Sequence, residues 1–113
     1  LFRSAVPAAA LAHGEKRALE LAIALALDPK VLVLDEPMAG VGVDEGARLI
    51  ELLQRLKSRL PMLLIEHDMA AVFRLADRVS VLVYGRVIAS GTPEAVRADP
   101  AVREAYLGEE TAL

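Results

Sequence analysis

The stretch Val31-Leu32-Val33-Leu34-Asp35-Glu36-Pro37-Met38-Ala39-Gly40 decides how this chain is read. Four apolar residues run without interruption into two adjacent carboxylates and a proline. A short unbroken apolar run predicts a strand buried on both faces of a parallel sheet, here Val31 to Leu34. Successive side chains on a strand point to opposite faces, so one of the two carboxylates can be structural while the other faces a site. A second run, Met62-Leu63-Leu64-Ile65, ends the same way, in Glu66-His67-Asp68.

Helical patterns separate these runs. Gly14 to Leu27 places Leu19, Ala22, Ile23, Ala26 and Leu27 at helical spacing. Leu21 and Leu25 widen that face, so the helix is expected to be covered on more than one side. Asp28-Pro29 stops it. Met38 to Val43 reads as a glycine-containing loop. Asp44 is the expected N-cap of a helix reaching about Arg59, with Leu49, Leu52, Leu53, Leu56 and Leu60 inward. Glu51 and Arg55 on its outer face stand at the i, i+4 spacing. Asp68 caps a short helix, Met69 to Ala76, with Val72, Phe73 and Ala76 as its apolar positions. Val79 to Tyr84 and Val87 to Ser90 flank Gly85-Arg86, an expected hairpin turn. Thr92-Pro93 and Asp99-Pro100 each join an N-cap residue to proline in the first turn, and Gly108 closes the second of the helices they open. Strands alternating with helices predict a layered α/β sheet.

Composition excludes several functions. The 113 residues make one small domain or a piece of a larger one. A net charge of −3 and an aromatic content of 4% give no footprint for nucleic acid and little for base stacking. The chain has no cysteine, hence no disulfide framework, zinc ribbon or thiol nucleophile. No apolar run approaches the roughly 18 residues of a membrane span. Leu1 to Ala10 has the small residues of a signal peptide but is too short, and Pro7 breaks it. The chain begins with Leu and opens without a clear element, as expected of a segment from inside a longer protein. Its 55% hydrophobic content is high for a soluble domain of this size, and implies either an unusually apolar core or a face normally covered by another segment.

In open α/β sheets, ligands sit beyond the carboxyl ends of the strands. If the two polar-ended strands are parallel neighbours, Glu36 and His67 meet at one edge. A carboxylate for magnesium, a second to orient water and a histidine near the transferred phosphate make a phosphoryl-transfer constellation. Each also has a plain structural reading: Asp35-Glu36 ends a strand, Asp68 caps a helix and His67 fills a turn. Leu11-Ala12-His13-Gly14-Glu15 stands at the start of the first helix. There, free backbone N–H groups suit an anion, and the plain alternative is an ordinary helix start.

Taken together, these motifs resemble the nucleotide-binding subunit of ABC transporters. Leu11 to Glu15 is similar to the signature motif, Val31 to Glu36 to Walker B, Pro37 to Gly42 to the D-loop and His67 to the switch histidine. The resemblance runs from Leu11 to nearly the end of the chain. His-Gly-Glu in the signature, Glu-Pro-Met-Ala-Gly after Walker B, the tail Tyr84 to Glu94 and the ending Ala105 to Glu109 resemble the branched-chain amino-acid import subfamily, with amide and urea importers as relatives. The resemblance implies a P-loop NTPase (RecA-like) three-layer α/β fold, present here in part, with parallel core strands, a C-terminal β-hairpin and short helices. Residues 11–113 would run from the signature to the C-terminal tail of the ATPase domain, after a leader at 1–10.

The implied roles follow position by position. Asp35 would hold Mg2+ through water. Glu36 would act as general base or water-orienting group, and His67 would contact the γ-phosphate and the attacking water. Ala12, His13, Gly14 and Glu15 would cover the γ-phosphate of ATP bound to a second ATPase subunit in a head-to-tail dimer, with Gly42 in the adjoining D-loop. Glu66 reads as structural. Transmembrane permease subunits would be the other partners, placing the protein in the cytoplasm on the inner face of the membrane.

The chain departs from the family in places. No glycine is followed by Lys, so the P-loop sequence G-x-x-x-x-G-K followed by Ser or Thr is absent from these residues, along with its strand. Ala12 replaces the usual Ser, Gly42 the usual Asp and Lys16 a common Gln. The chain alone is therefore expected to lack ATPase activity. Two other classes remain open: a non-enzymatic module that self-associates through an uncovered apolar face, and a phospho-acceptor receiver with Asp35 as acceptor. The order of acidic pair and Lys that a receiver needs is not found here.

Overall fold

The structure is a computed structural model describing residues 6–107. The chain divides into two compact units, Leu1–Ala71 and Val72–Leu113. In the first, a 3-10 turn at Ala8–Ala10 precedes α1 (His13–Ala26), β1 (Leu32–Asp35), α2 (Val43–Leu56) and β2 (Met62–Ile65). α3 (Met69–Leu75) contains the boundary between the units. The second unit holds β3 (Val79–Val83), β4 (Arg86–Gly91), α4 (Pro93–Ala98), α5 (Pro100–Val102) and a π-helical turn, Arg103–Leu107. Gly108, expected to close the last helix, lies outside the described residues.

β1 and β2 pair in parallel with Leu32 opposite Met62, Val33 opposite Leu63, Leu34 opposite Leu64 and Asp35 opposite Ile65. The α2 crossover makes this pairing possible, since parallel neighbours cannot be joined by a tight turn. Leu49, Ile50 and Leu53 form the buried stripe of α2, with Leu53 only 1% exposed. α1 contributes Leu21, and Leu32 of β1 completes this apolar cluster.

Burial departs from the sequence expectation on the strands and on α1. The runs Val31 to Leu34 and Met62 to Ile65 predict burial on both faces, but only one face is covered. Leu32 is buried and Leu34, Met62 and Leu64 are partly so, while Val33, Leu63 and Ile65 are 60%, 56% and 48% exposed. Among the described residues no element packs on that second face strongly enough to bury it. On α1 the Leu19, Ile23 and Leu27 stripe is open, and Leu21 is the buried position. Asp28 adopts a left-handed φ of 51° and ends α1, with its N–H donating to Leu25 O at 3.1 Å.

The capping positions differ as well. Gly42, not Asp44, is the N-cap of α2 and supplies no side-chain bond. Asp44 and Glu45 lie in the first turn, where negative charge suits the helix dipole. Asp68 does cap α3, accepting from Ala71 N–H at 3.1 Å. Thr92 Oγ1 and Asp99 Oδ1 accept from Ala95 and Ala101 N–H, as the Thr-Pro and Asp-Pro pairs predict. The hairpin turn falls one residue earlier than expected, on Tyr84-Gly85. Both have positive φ, 47° and 75°, as a two-residue turn matching strand twist requires. A bulge places Ile88 between the pairs Val81–Ala89 and Leu82–Val87. Within this second unit Val79, Val81, Val96 and Val102 form the core, and Arg97 lies over the Phe73 ring at 4.5 Å.

These burial differences predict unequal costs for trimming the sheet and its cover. Leu53→Ala is expected to lower unfolding free energy by about 2–5 kcal/mol in urea titrations. Val33→Ala on the open face should cost less than about 1 kcal/mol, since little apolar area is removed from contact.

Candidate functional site

Parallel register brings the two polar strand ends side by side. Asp35 is the last residue of β1, opposite Ile65, and its side chain is exposed. Glu36 follows with a left-handed φ of 47°, and its N–H donates to Ile65 O at 2.8 Å. A non-glycine residue in that region is uncommon, and such residues concentrate at functional sites. Glu36 Oε1 and His67 Nδ1 are 3.0 Å apart. The carboxylate can only accept, so Nδ1 carries the proton of this bond. Nε2 of a neutral ring is then an acceptor, and of a protonated ring a donor. Glu36 Oε2 stays available for a second partner.

Pro37 is buried just beyond. The next residue, Met38, donates its N–H to Glu66 Oε1 at 2.8 Å. Glu66 Oε2 accepts from the N–H groups of His67 at 3.1 Å and Asp68 at 3.2 Å. Sequence reading gave Glu66 no site role. The two-loop bridge depends on register, which sequence spacing alone does not supply.

The signature-like residues lie at the start of α1. Ala12 is its N-cap, extended as caps are but with no side-chain oxygen to accept a bond, and Lys16 N–H donates to Ala12 O at 2.9 Å. His13 is the first helical residue, and its ring lies beside Gly40: a Cβ at Gly40 would stand 3.6 Å from Nδ1. Gly40 also has φ +71°, which favours glycine. At Gly14 a Cβ would meet Glu45 Oε2, so the Glu45 carboxylate lies directly against the glycine. Glu15 is in the first turn of α1. Gly42, by contrast, faces open space. The structure thus joins Glu36 directly to His67 and sets His13 and Gly14 against the loop and helix that follow β1.

The donor set around Asp35 bears on magnesium. Among the described residues no three His, Asp or Glu side chains converge as a metal site. Asp35 offers one exposed carboxylate, which fits magnesium, an ion held by one or two carboxylates plus substrate phosphates and water. A cleft of about 210 Å³ lies alongside, lined by Asp35, Arg17, Leu21, Val33, Leu49 and Leu53 among others.

A parallel strand pair joined by a helix, with an acidic pair at one strand end and a histidine at the next, is the arrangement that the resemblance to P-loop nucleotide-triphosphatases predicts. Comparison with known proteins narrows it. Residues 3–39 match the family model described as ABC transporter, and residues 86–112 the model described as branched-chain amino acid ATP-binding cassette transporter. The chain is 45% identical over 101 residues to the high-affinity branched-chain amino acid transport ATP-binding protein LivG of Escherichia coli, covering 88% of this chain and 40% of LivG. It is 43% identical over 104 residues to the corresponding BraF of Pseudomonas aeruginosa, covering 90% of this chain and 41% of BraF. A solved ATP-binding cassette of an ABC transporter superposes with a TM-score of 0.78 at 33% identity, over 89% of this chain and 42% of that one. The chain is therefore similar in sequence and fold to ATP-binding proteins of ABC transporters, and among them to the branched-chain amino-acid members. It spans about two fifths of the length of these relatives.

Two substitutions test the local geometry. Ala12→Ser places a hydroxyl at the α1 N-cap with Glu15 three residues on, the capping-box pattern, and is expected to raise stability by about 0.5–2 kcal/mol in denaturant titrations. Gly42→Asp enters open space at an N-cap and should be stabilising by a few tenths of a kcal/mol, roughly the difference between these two caps. A loss above about 1 kcal/mol in either would contradict the cap assignments.

Proposed function

We propose that this chain is part of the ATP-binding subunit of an ABC importer, in which ATP hydrolysis powers uptake of branched-chain amino acids. The observation that carries the reading is the Glu36–His67 contact at 3.0 Å, one residue beyond Asp35. Glu36 orients the attacking water and takes its proton through the oxygen that His67 leaves unused. His67, held through Nδ1, turns Nε2 toward the γ-phosphate and that water. A neutral ring accepts from water there; a protonated ring donates to phosphate. Asp35 would hold magnesium, and the bound ion would neutralise charge on the phosphates.

The α1 start serves a different nucleotide. Ala12, His13, Gly14 and Glu15 cover the γ-phosphate of ATP on a second ATPase subunit in a head-to-tail dimer, with Gly42 in the loop beside them. Gly14 leaves room for the Glu45 carboxylate, and the helix N-terminus favours the phosphate's charge. Permease subunits in the membrane complete the importer, and the ATPase sits on the inner face. Among the described residues no helix is long and apolar enough to cross a membrane. LivG and BraF, both named for branched-chain amino acid transport, support this solute over amides or urea.

The open apolar surface supports a second, compatible reading: the 113-residue chain self-associates. Val33, Leu63 and Ile65 on the sheet and Ile23 and Leu27 on α1 are each at least 48% exposed. A dimer or larger assembly is expected in light scattering, and a monodisperse monomer would contradict it.

Hydrolysis is the decisive test. The 113-residue chain alone is expected to show no magnesium-dependent ATPase activity, since it lacks the phosphate-cradling loop sequence. Fused behind the phosphate-binding half of LivG, it should hydrolyse ATP. Glu36→Gln in that fusion should lower kcat by about 100- to 10,000-fold, the range for a general base, with little change in KM. A Glu36→Gln fusion as active as its parent would overturn the assignment.

A further inference from the structure

The strand ends are tied together by a residue that neither water nor phosphate needs to touch. Glu66 has both carboxylate oxygens engaged by backbone N–H groups. Oε1 accepts from Met38, 28 residues earlier in the chain, at 2.8 Å. Oε2 accepts from His67 at 3.1 Å and Asp68 at 3.2 Å. These bonds join the loop leaving β1, two residues after Glu36, to the loop leaving β2 at His67. The Met38 side chain reaches α2, where its Cε lies 3.1 Å from where a Cβ on Gly46 would stand.

We infer that Glu66 is the positioning residue of the Glu36–His67 pair: its bridge to Met38 N–H fixes the loop after β1 so that the Glu36 carboxylate meets His67 Nδ1. The inference rests on the proposed hydrolytic role of that pair, which it deepens. Glu36 leaves β1 through a left-handed turn, so the strand ladder alone does not set its side-chain direction. The ladder ends at the Glu36 N–H to Ile65 O bond. Beyond it, Glu66 Oε1 is the acceptor that ties Met38 N–H across to β2's end. Bonds from backbone N–H to a carboxylate are charge-assisted and stronger than neutral ones. A two-oxygen carboxylate suits both loops at once. A Ser or Thr hydroxyl on this position would lack the reach to Met38 while keeping a local turn bond.

The bridge and the local turn are separable. Glu66→Asp is one methylene shorter, so it keeps an acceptor for the His67 and Asp68 N–H groups but loses Met38. Glu66→Gln keeps the length but turns an amide NH2 toward one set of donors. Hydrogen exchange on the 113-residue chain reads the bridge directly. In Glu66→Asp the Met38 amide is expected to exchange at least tenfold faster, with the Asp68 amide within threefold of the parent. The His67 ring nitrogen resonances should shift toward those of an imidazole without a carboxylate partner. Circular dichroism and urea midpoints of Glu66→Asp and Glu66→Gln report whether each variant is folded, and the comparison is made on whichever is.

Activity in the LivG fusion supplies the second arm. Glu66→Asp should lower kcat at least tenfold with KM for ATP within twofold, because the reacting pair is displaced and nucleotide contacts are not. Unchanged Met38 exchange and unchanged His67 resonances in a folded Glu66 variant would overturn the inference. So would a normal kcat despite a lost Met38 bridge. If the parent fusion does not hydrolyse ATP, the proposed function fails, while the exchange and resonance data still decide whether Glu66 positions the pair.

Discussion

Parallel pairing of β1 with β2, in the register that sets Asp35 opposite Ile65, is the constraint on which the site depends. A slip of one residue would reverse the faces of every side chain on one strand and separate Glu36 from His67. Register is held by the apolar cluster of Leu21, Leu32, Leu49, Ile50 and Leu53 and by ladder bonds, from Leu32 N–H to Pro61 O at 2.9 Å through Glu36 N–H to Ile65 O at 2.8 Å. Packing energy is thus converted into placement of two polar side chains that lie 31 residues apart in sequence.

Under the proposed function, the ends of β1 and β2 would supply the groups that meet the attacking water, and the start of α1 those that meet a partner's phosphate. The glycines mark where the two sets approach other parts of the chain. Gly40 takes a left-handed turn beside the His13 ring, and Gly14 lies against the Glu45 carboxylate. Gly42 has no such neighbour, which explains why an aspartate is compatible with its place.

Much of this was legible in the sequence. The two apolar runs ending in charge located both strands, and the spacing of Asp35-Glu36 and His67 located the contact between them. Asp68, Thr92 and Asp99 cap helices as their chemistry demands. What escaped was set by context. Val33, Leu63 and Ile65 carry the composition of a doubly covered strand, and composition cannot report that one cover is not among the described residues. The stripe Leu19, Ile23 and Leu27 misled in the same way. Asp44 looked like a cap, but the helix begins at Val43 and a glycine holds the cap. The hairpin turn shifted to Tyr84-Gly85 because strand twist selects two consecutive left-handed residues, a demand that Gly85 alone signals. Glu66 could not be assigned, since its partner Met38 is brought to it by register.

The bond between Glu36 and His67 is the most direct point of test. Long-range proton–nitrogen correlation spectra of the His67 ring report which nitrogen carries the proton. Nδ1–H is expected in the parent chain, with a return to the ordinary Nε2–H form when His67 is observed in Glu36→Ala. An Nε2–H ring in the parent, unaltered by Glu36→Ala, would contradict the central claim that the strand register builds this pair.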